Sequence, residues 1–96
     1  MRAWLLLLLC TPALAQDPNA GRSLAATCAN CHGTGGRPHN ATIPPLAGMP
    51  ADTLLAKLTD YRSGKLAGTV MPQVAKGYTE DQLRLVAAYL SRQARP

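Results

Sequence analysis

Apolar positions along this chain fall into four groups separated by polar, glycine-rich or proline-rich stretches. The first is the continuous run Ala3 to Leu9, which follows Arg2 and leads to Ala13-Leu14-Ala15. A basic start, a short apolar core and a small-x-small site mark a secretory signal peptide. The run is shorter than the ~18 residues that a membrane span needs. Cleavage after Ala15 is therefore expected, leaving a folded domain over 16–96. The second group follows Asp17-Pro18, a good N-cap and a residue suited to the first helical position. It predicts a helix from about Pro18 to Cys28, with Gly21, Leu24 and Ala25 on one face. The third group, Leu54, Leu55, Leu58 and Tyr61, has helical spacing and predicts a helix from Pro50-Ala51-Asp52 to about Ser63, ended by Gly64. In the fourth, Leu83, Val86, Ala87 and Leu90 share a face, with Leu85 and Tyr89 beside it. Thr79 and Gln82 match a capping box, with Glu80 and Asp81 in the favourable first turn, so this helix runs from Thr79 to about Arg92-Gln93.

Residues 33–48 and 65–78 read as loops, since their Gly and Pro content interrupts any regular element. No stretch alternates as a strand does. The fold class is all-α, with three main helices.

Composition shows what those helices lack. There is no Phe, and the one Trp, Trp4, lies in the leader. The remaining aromatics are Tyr61, Tyr78 and Tyr89. A domain of this size buries only about 60% of its unfolded surface. A core of Leu, Val and Ala with so few rings is underfilled, and a flat apolar cofactor would supply the missing mass. Without it the chain is expected to be largely unfolded.

Cys28-Ala29-Asn30-Cys31-His32 names the cofactor. Cys-x-x-Cys-His is the attachment site of a c-type haem. Three residues apart, the two thiols lie on one side of a helical turn, where each can add to one vinyl group. His32 follows directly and can bind the iron. A structural zinc site wants four ligands, usually two such pairs, and the only other histidine is His39. A thioredoxin-like pair wants a βαβ setting, and no strands are read here. The cysteines agree with export: once Cys10 leaves with the leader, only Cys28 and Cys31 remain. Thioethers or a disulfide would then leave no free thiol.

A metal-bound histidine nearly always donates its other ring N–H to an acceptor behind it. A proline carbonyl in Pro44-Pro45-Leu46-Ala47-Gly48 can serve, or the segment can be a stiff connector. For the opposite face of the iron the candidates are Met49, Met71, His39 or nothing. Met thioether is a known partner of His in electron-transfer haems. Met71 follows a complete helix, by which point the chain has crossed the haem, so it is favoured. Met49 follows too soon after the segment that supports His32, and reads as core filler. His39 reads as solvent-exposed. Tyr61, late on its helix face, is either core or a hydroxyl donor to a haem propionate.

Ten Lys and Arg less Arg2 leave nine, against five Asp and Glu, a formal charge of +4 after cleavage. That is too weak to argue for nucleic acid. It suits a basic face meeting an acidic redox protein; Arg62, Lys65 and Lys76 around the Met71 loop are the candidate rim, or an ordinary solvated surface.

The order helix, Cys-x-x-Cys-His, Pro-x-Leu-x-Gly, helix, Met in a loop, and a terminal helix with a late Tyr resembles a class I cytochrome c. The resemblance implies one covalent haem c through Cys28 and Cys31, with His32 and Met71 as axial ligands. It implies that Pro44 supplies the carbonyl that holds His32, and that Gly21 packs against Tyr89 where the first and last helices cross. Leu24 stands where the family often has an aromatic. The run Thr69 to Tyr78, followed by an acidic helix start, is similar to the cytochrome subunit of flavocytochrome c sulfide dehydrogenases, which takes electrons from a flavoprotein. Two functions are therefore expected to compete. One is a periplasmic one-electron carrier. The other is the electron-accepting haem subunit of such a dehydrogenase, with the chemistry on the partner. A small haem enzyme or gas sensor would need an open iron site, which carbon monoxide would reveal.

Overall fold

In the computed structural model residues 17–96 are described. The expected leader, Cys10 and the cleavage after Ala15 lie outside the described residues. The chain enters through a turn rather than a helix: Asp17 Oδ1 accepts from the Asn19 N–H, and the Asp17 carbonyl accepts from Ala20. Helix α1 therefore starts at Ala20, two residues later than Asp17-Pro18 predicts, and spans Ala20–Ala25. The chain tightens into a 3-10 turn over Ala26–Cys28 and resumes as α2, Ala29–His32. The cap residues between these pieces keep right-handed helical angles, so one helical path carries the chain through both cysteines to His32.

Helix α3 spans Ala51–Ser63 and stops at Gly64, whose φ of 85° ends it with a left-handed cap. The stretch predicted as a second loop contains a helix. Met71–Lys76 forms α4, with Pro72 near its start, and Gly77 follows it. Pro favours the first turn of a helix, because its missing N–H would have had no partner there. Helix α5 spans Glu80–Ser91 and carries the expected capping box: Gln82 N–H donates to Thr79 Oγ1 at 3.2 Å, and Thr79 N–H donates to Gln82 Oε1 at 2.9 Å. Among the described residues there is no strand, and no helix is long and apolar enough to cross a membrane.

Helix α5 is the centre of the packing, touching α1 on one side and α3 on another, while α4 lies on α3. All four residues of its predicted face, Leu83, Val86, Ala87 and Leu90, are buried, and Leu83 is only 1% exposed. Leu83, Val86 and Leu90 each contribute ~1.5–3 kcal/mol by leaving water. Ala25 and Leu54 complete the core, with Leu24 and Tyr89 packed against it. Where α1 crosses α5 the backbones nearly touch at Gly21. A Cβ there would lie 2.6 Å from the Leu85 carbonyl oxygen and 3.0 Å from Tyr89 Cβ, so the crossing needs a residue without a side chain.

Candidate functional site

The core forms one wall of a cavity. It has a volume of about 430 Å³ and opens between the Thr27–His32 path, α3 and the start of α4. Leu54, Val86 and Leu90 belong both to the core and to its wall. The cavity brings together the six residues expected to hold the cofactor: Cys28, Cys31, His32, Pro44, Tyr61 and Met71 all line it. His39 does not line it, and is exposed.

His32 ends α2 and is buried. The chain then turns at Gly33 (φ 79°), where a Cβ would fall 2.0 Å from the Arg37 carbonyl oxygen. Only glycine allows so tight a return directly after the histidine. His32 Nδ1 lies 2.8 Å from the Pro44 carbonyl oxygen. A carbonyl only accepts, so Nδ1 carries the proton and Nε2 keeps the lone pair that a metal requires. The acceptor is itself fixed. Leu46 and Ala47 N–H both donate to the Gly36 carbonyl at 2.9 and 3.1 Å, and Gly48 N–H donates to Leu90 at 3.0 Å. The proline segment is thus tied to the loop start and to the end of α5.

The two thiols differ in setting. Cys28 is half-buried and Cys31 exposed. Burial pushes the Cys28 thiol above its ordinary pKa of 9.0, which keeps its proton on near neutral pH. Among the described residues no three His, Cys, Asp or Glu side chains converge as a metal site would require, whereas structural zinc takes four ligands.

Both Met49 and Met71 line the cavity. Met49 also packs against the core cluster and borders a surface cleft of about 440 Å³ beside Pro45 and Arg95. Met71 opens α4 and is half-buried. Tyr61 reaches the cavity from α3 and is half-buried.

A family model for cytochrome c matches residues 19–94. The chain belongs to the cytochrome c family. This cytochrome is 38% identical over 69 residues to the cytochrome subunit of sulfide dehydrogenase from Chlorobaculum tepidum, covering 72% of this chain and 62% of that one. It is 34% identical over 67 residues to a thiosulfate dehydrogenase electron acceptor from Stutzerimonas stutzeri, covering 67% of this chain and 31% of that protein. In three dimensions it resembles the cytochrome c4 of Acidithiobacillus ferrooxidans, with a TM-score of 0.68 and 31% identity over 80% of this chain and 51% of that one. The chain thus spans about a third to two thirds of the length of these relatives.

The cytochrome's cofactor is covalently bound haem c, and Cys28 and Cys31 stand in the spacing that attaches it. The residues present fit that group: an apolar cavity in an aromatic-poor core, two thiols on one helical path, and an imidazole whose Nε2 is free. One pair of residues in the cytochrome was not foreseen. The Tyr78 hydroxyl donates to the Leu24 carbonyl at 2.8 Å, and the Thr27 hydroxyl donates to the Tyr78 oxygen. These partners are 54 and 51 residues apart, so no local sequence pattern announces them.

Proposed function

We propose that this cytochrome carries single electrons in the periplasm, with His32 and Met71 as axial ligands of the haem attached at Cys28 and Cys31. The observation that carries the reading is the 2.8 Å contact between His32 Nδ1 and Pro44. It leaves Nε2 as the donor in a cavity that a thioether also lines. Bound there, haem supplies one-electron exchange between ferrous and ferric iron. By accepting from Nδ1, the Pro44 carbonyl fixes the ring and makes Nε2 the stronger donor. Met71 is assigned the other side because Met49 is engaged with the core cluster. A thioether ligand raises the potential. With His32 and Met71 in both axial places no position remains for a substrate, and the protein's work is to hold the group and present an edge. Tyr61, whose side chain lines the cavity, is assigned to a propionate. Residues 1–15 are assigned as the cleaved signal and 16–96 as the cytochrome c domain, which accounts for the periplasm.

Carbon monoxide tests the ligand set. The reduced wild type should bind it poorly and Met71→Ala readily. Unchanged axial ligation in Met71→Ala would sink the assignment.

A second placement draws on the likeness to the Chlorobaculum tepidum subunit. The cytochrome would then be the electron-accepting subunit of a flavin-containing sulfide dehydrogenase. Gentle purification from the host separates the two. Flavin co-eluting with haem in a larger complex favours the subunit, and haem alone at monomer size favours the free carrier. Arg62, Lys65 and Lys76 are all exposed and form the proposed rim for an acidic redox partner. Raising salt should slow that reaction; a rate indifferent to salt would remove the rim.

A further inference from the structure

Met71 stands at the start of α4, and the two ends of its segment are held very differently. On the side leading into it, every residue from Arg62 to Val70 is exposed, and Val70 is 60% exposed. On the other side α4 is a short helix with Ala75 buried. Gly77 and Tyr78 N–H then donate back to Val74 and Ala75 at 3.1 and 3.2 Å. This compact turn leads straight into the half-buried Tyr78, which packs against the core cluster. The Tyr78 hydroxyl donates to Leu24, and Thr27 donates to the Tyr78 oxygen. Leu24 and Thr27 lie on the helical path that leads to Cys28 and His32, and Thr27 lines the cavity.

We propose that Tyr78 and Thr27 form a clasp that closes the haem cavity, tying the Met71 wall to the Cys28–His32 wall, so that they act as positioning residues for the Met71 ligand. The inference rests on Met71 as the axial ligand. The logic is mechanical. A thioether is a weak, neutral ligand that holds its place only while the segment carrying it is held. Packing on α3 holds α4 from one side and the exposed stretch 62–70 adds little, so the anchor at Tyr78 is what ties it to the opposite wall. Opening the Met71 side means separating Tyr78 from Leu24 and Thr27, and the clasp makes that opening rarer.

Imidazole titration of the ferric holoprotein reads this directly, because imidazole binds only when Met71 leaves. Tyr78→Phe removes the hydroxyl and keeps the ring. Thr27→Val removes the other hydroxyl, and Thr27→Ser keeps it. Thr27→Val deletes one hydrogen bond and Tyr78→Phe deletes two, so each should raise the apparent imidazole affinity by at least roughly two- to tenfold, the range for a single bond, with Tyr78→Phe the larger. We expect near wild-type affinity for Thr27→Ser. Ser91→Ala, which loses a bond to Ala88 on α5, controls for a general loss of stability and should leave the affinity unchanged. The red charge-transfer band of Met-ligated ferric haem separates the two ways of failing. If the wild type lacks it, Met71 ligation falls and the clasp falls with it. If the wild type has it and both Tyr78→Phe and Thr27→Val titrate like wild type, the clasp alone is overturned.

Discussion

Substituting Gly21 by alanine sets two known effects against each other at the crossing of α1 and α5. Helix propensity favours the change: alanine in a helix interior is better than glycine by ~0.8–1.0 kcal/mol. Packing opposes it. The added Cβ would sit 2.6 Å from the Leu85 carbonyl oxygen and 3.0 Å from Tyr89 Cβ. Close carbon–oxygen contacts in proteins settle at about 3.3 Å or more, so the helices must part by roughly 0.7 Å at that point. Overpacking of a well-fitted site costs about 1–3 kcal/mol. The upper part of that range applies, because the obstacle is backbone and cannot swing aside. The net effect is a loss of about 1–2 kcal/mol. For a domain of this size that lowers Tm by roughly 4–16 °C. Thermal and denaturant unfolding of the holoprotein, followed by far-UV circular dichroism, measures it, and Gly21→Val should be worse. A Gly21→Ala protein as stable as wild type, or more stable, would show that the crossing has slack and that propensity decides.

Leu83 is buried but does not line the cavity. Leu83→Ala should cost ~2–5 kcal/mol in denaturant unfolding while leaving the haem absorbance spectrum unchanged. Thr79→Ala removes the acceptor for Gln82 N–H and should cost ~1 kcal/mol, read the same way. Replacing Cys28 and Cys31 by serine should leave the chain largely unfolded by circular dichroism, since a core of Leu, Val and Ala with few rings is completed by the covalently held haem. Arg84 holds the Glu80 carboxyl below its ordinary value of 4.5. A carboxyl whose folded pKa is depressed stabilises above its unfolded pKa, and that contribution disappears as pH falls through the folded value. Glu80→Gln should therefore lower stability slightly at neutral pH and low salt. The difference should vanish in strong acid or high salt; a persistent gap there would mean another cause.

How much was legible follows the range of each interaction. The α5 face, its capping box and the stop at Gly64 are encoded within a few residues, and all were read. The Cys-x-x-Cys-His run is equally local. Helix α4 escaped because six residues make less than two turns, too few for periodicity to emerge from a Gly- and Pro-bearing stretch. Its one local signal was Pro72 directly after Met71. The first helix starts later than Asp17-Pro18 predicts because the Asp17 carboxylate accepts from Asn19 N–H, a competing use of the same side chain. Position along the chain favours Met71 over Met49, and the structure does not separate them further, because both line the cavity. The Tyr78–Leu24 bond spans most of the domain, and only the folded chain brings its partners together.

The loop from Arg37 to Pro45 has an asymmetric tolerance for change. Its base is closed twice, by Leu46 and Ala47 on Gly36 and by His32 on Pro44. Its tip, His39 to Thr42, is exposed and held by a single Asx turn at Asn40. Doubling a flexible loop costs only about 0.6 kcal/mol of closure entropy, so residues inserted at the tip should leave the Pro44 carbonyl in place. A new epitope, an affinity handle or a reporter grafted between Asn40 and Ala41 would then sit beside the redox centre without disturbing the histidine behind it. The same insertion one turn earlier, between Gly33 and Gly36, would displace that histidine outright.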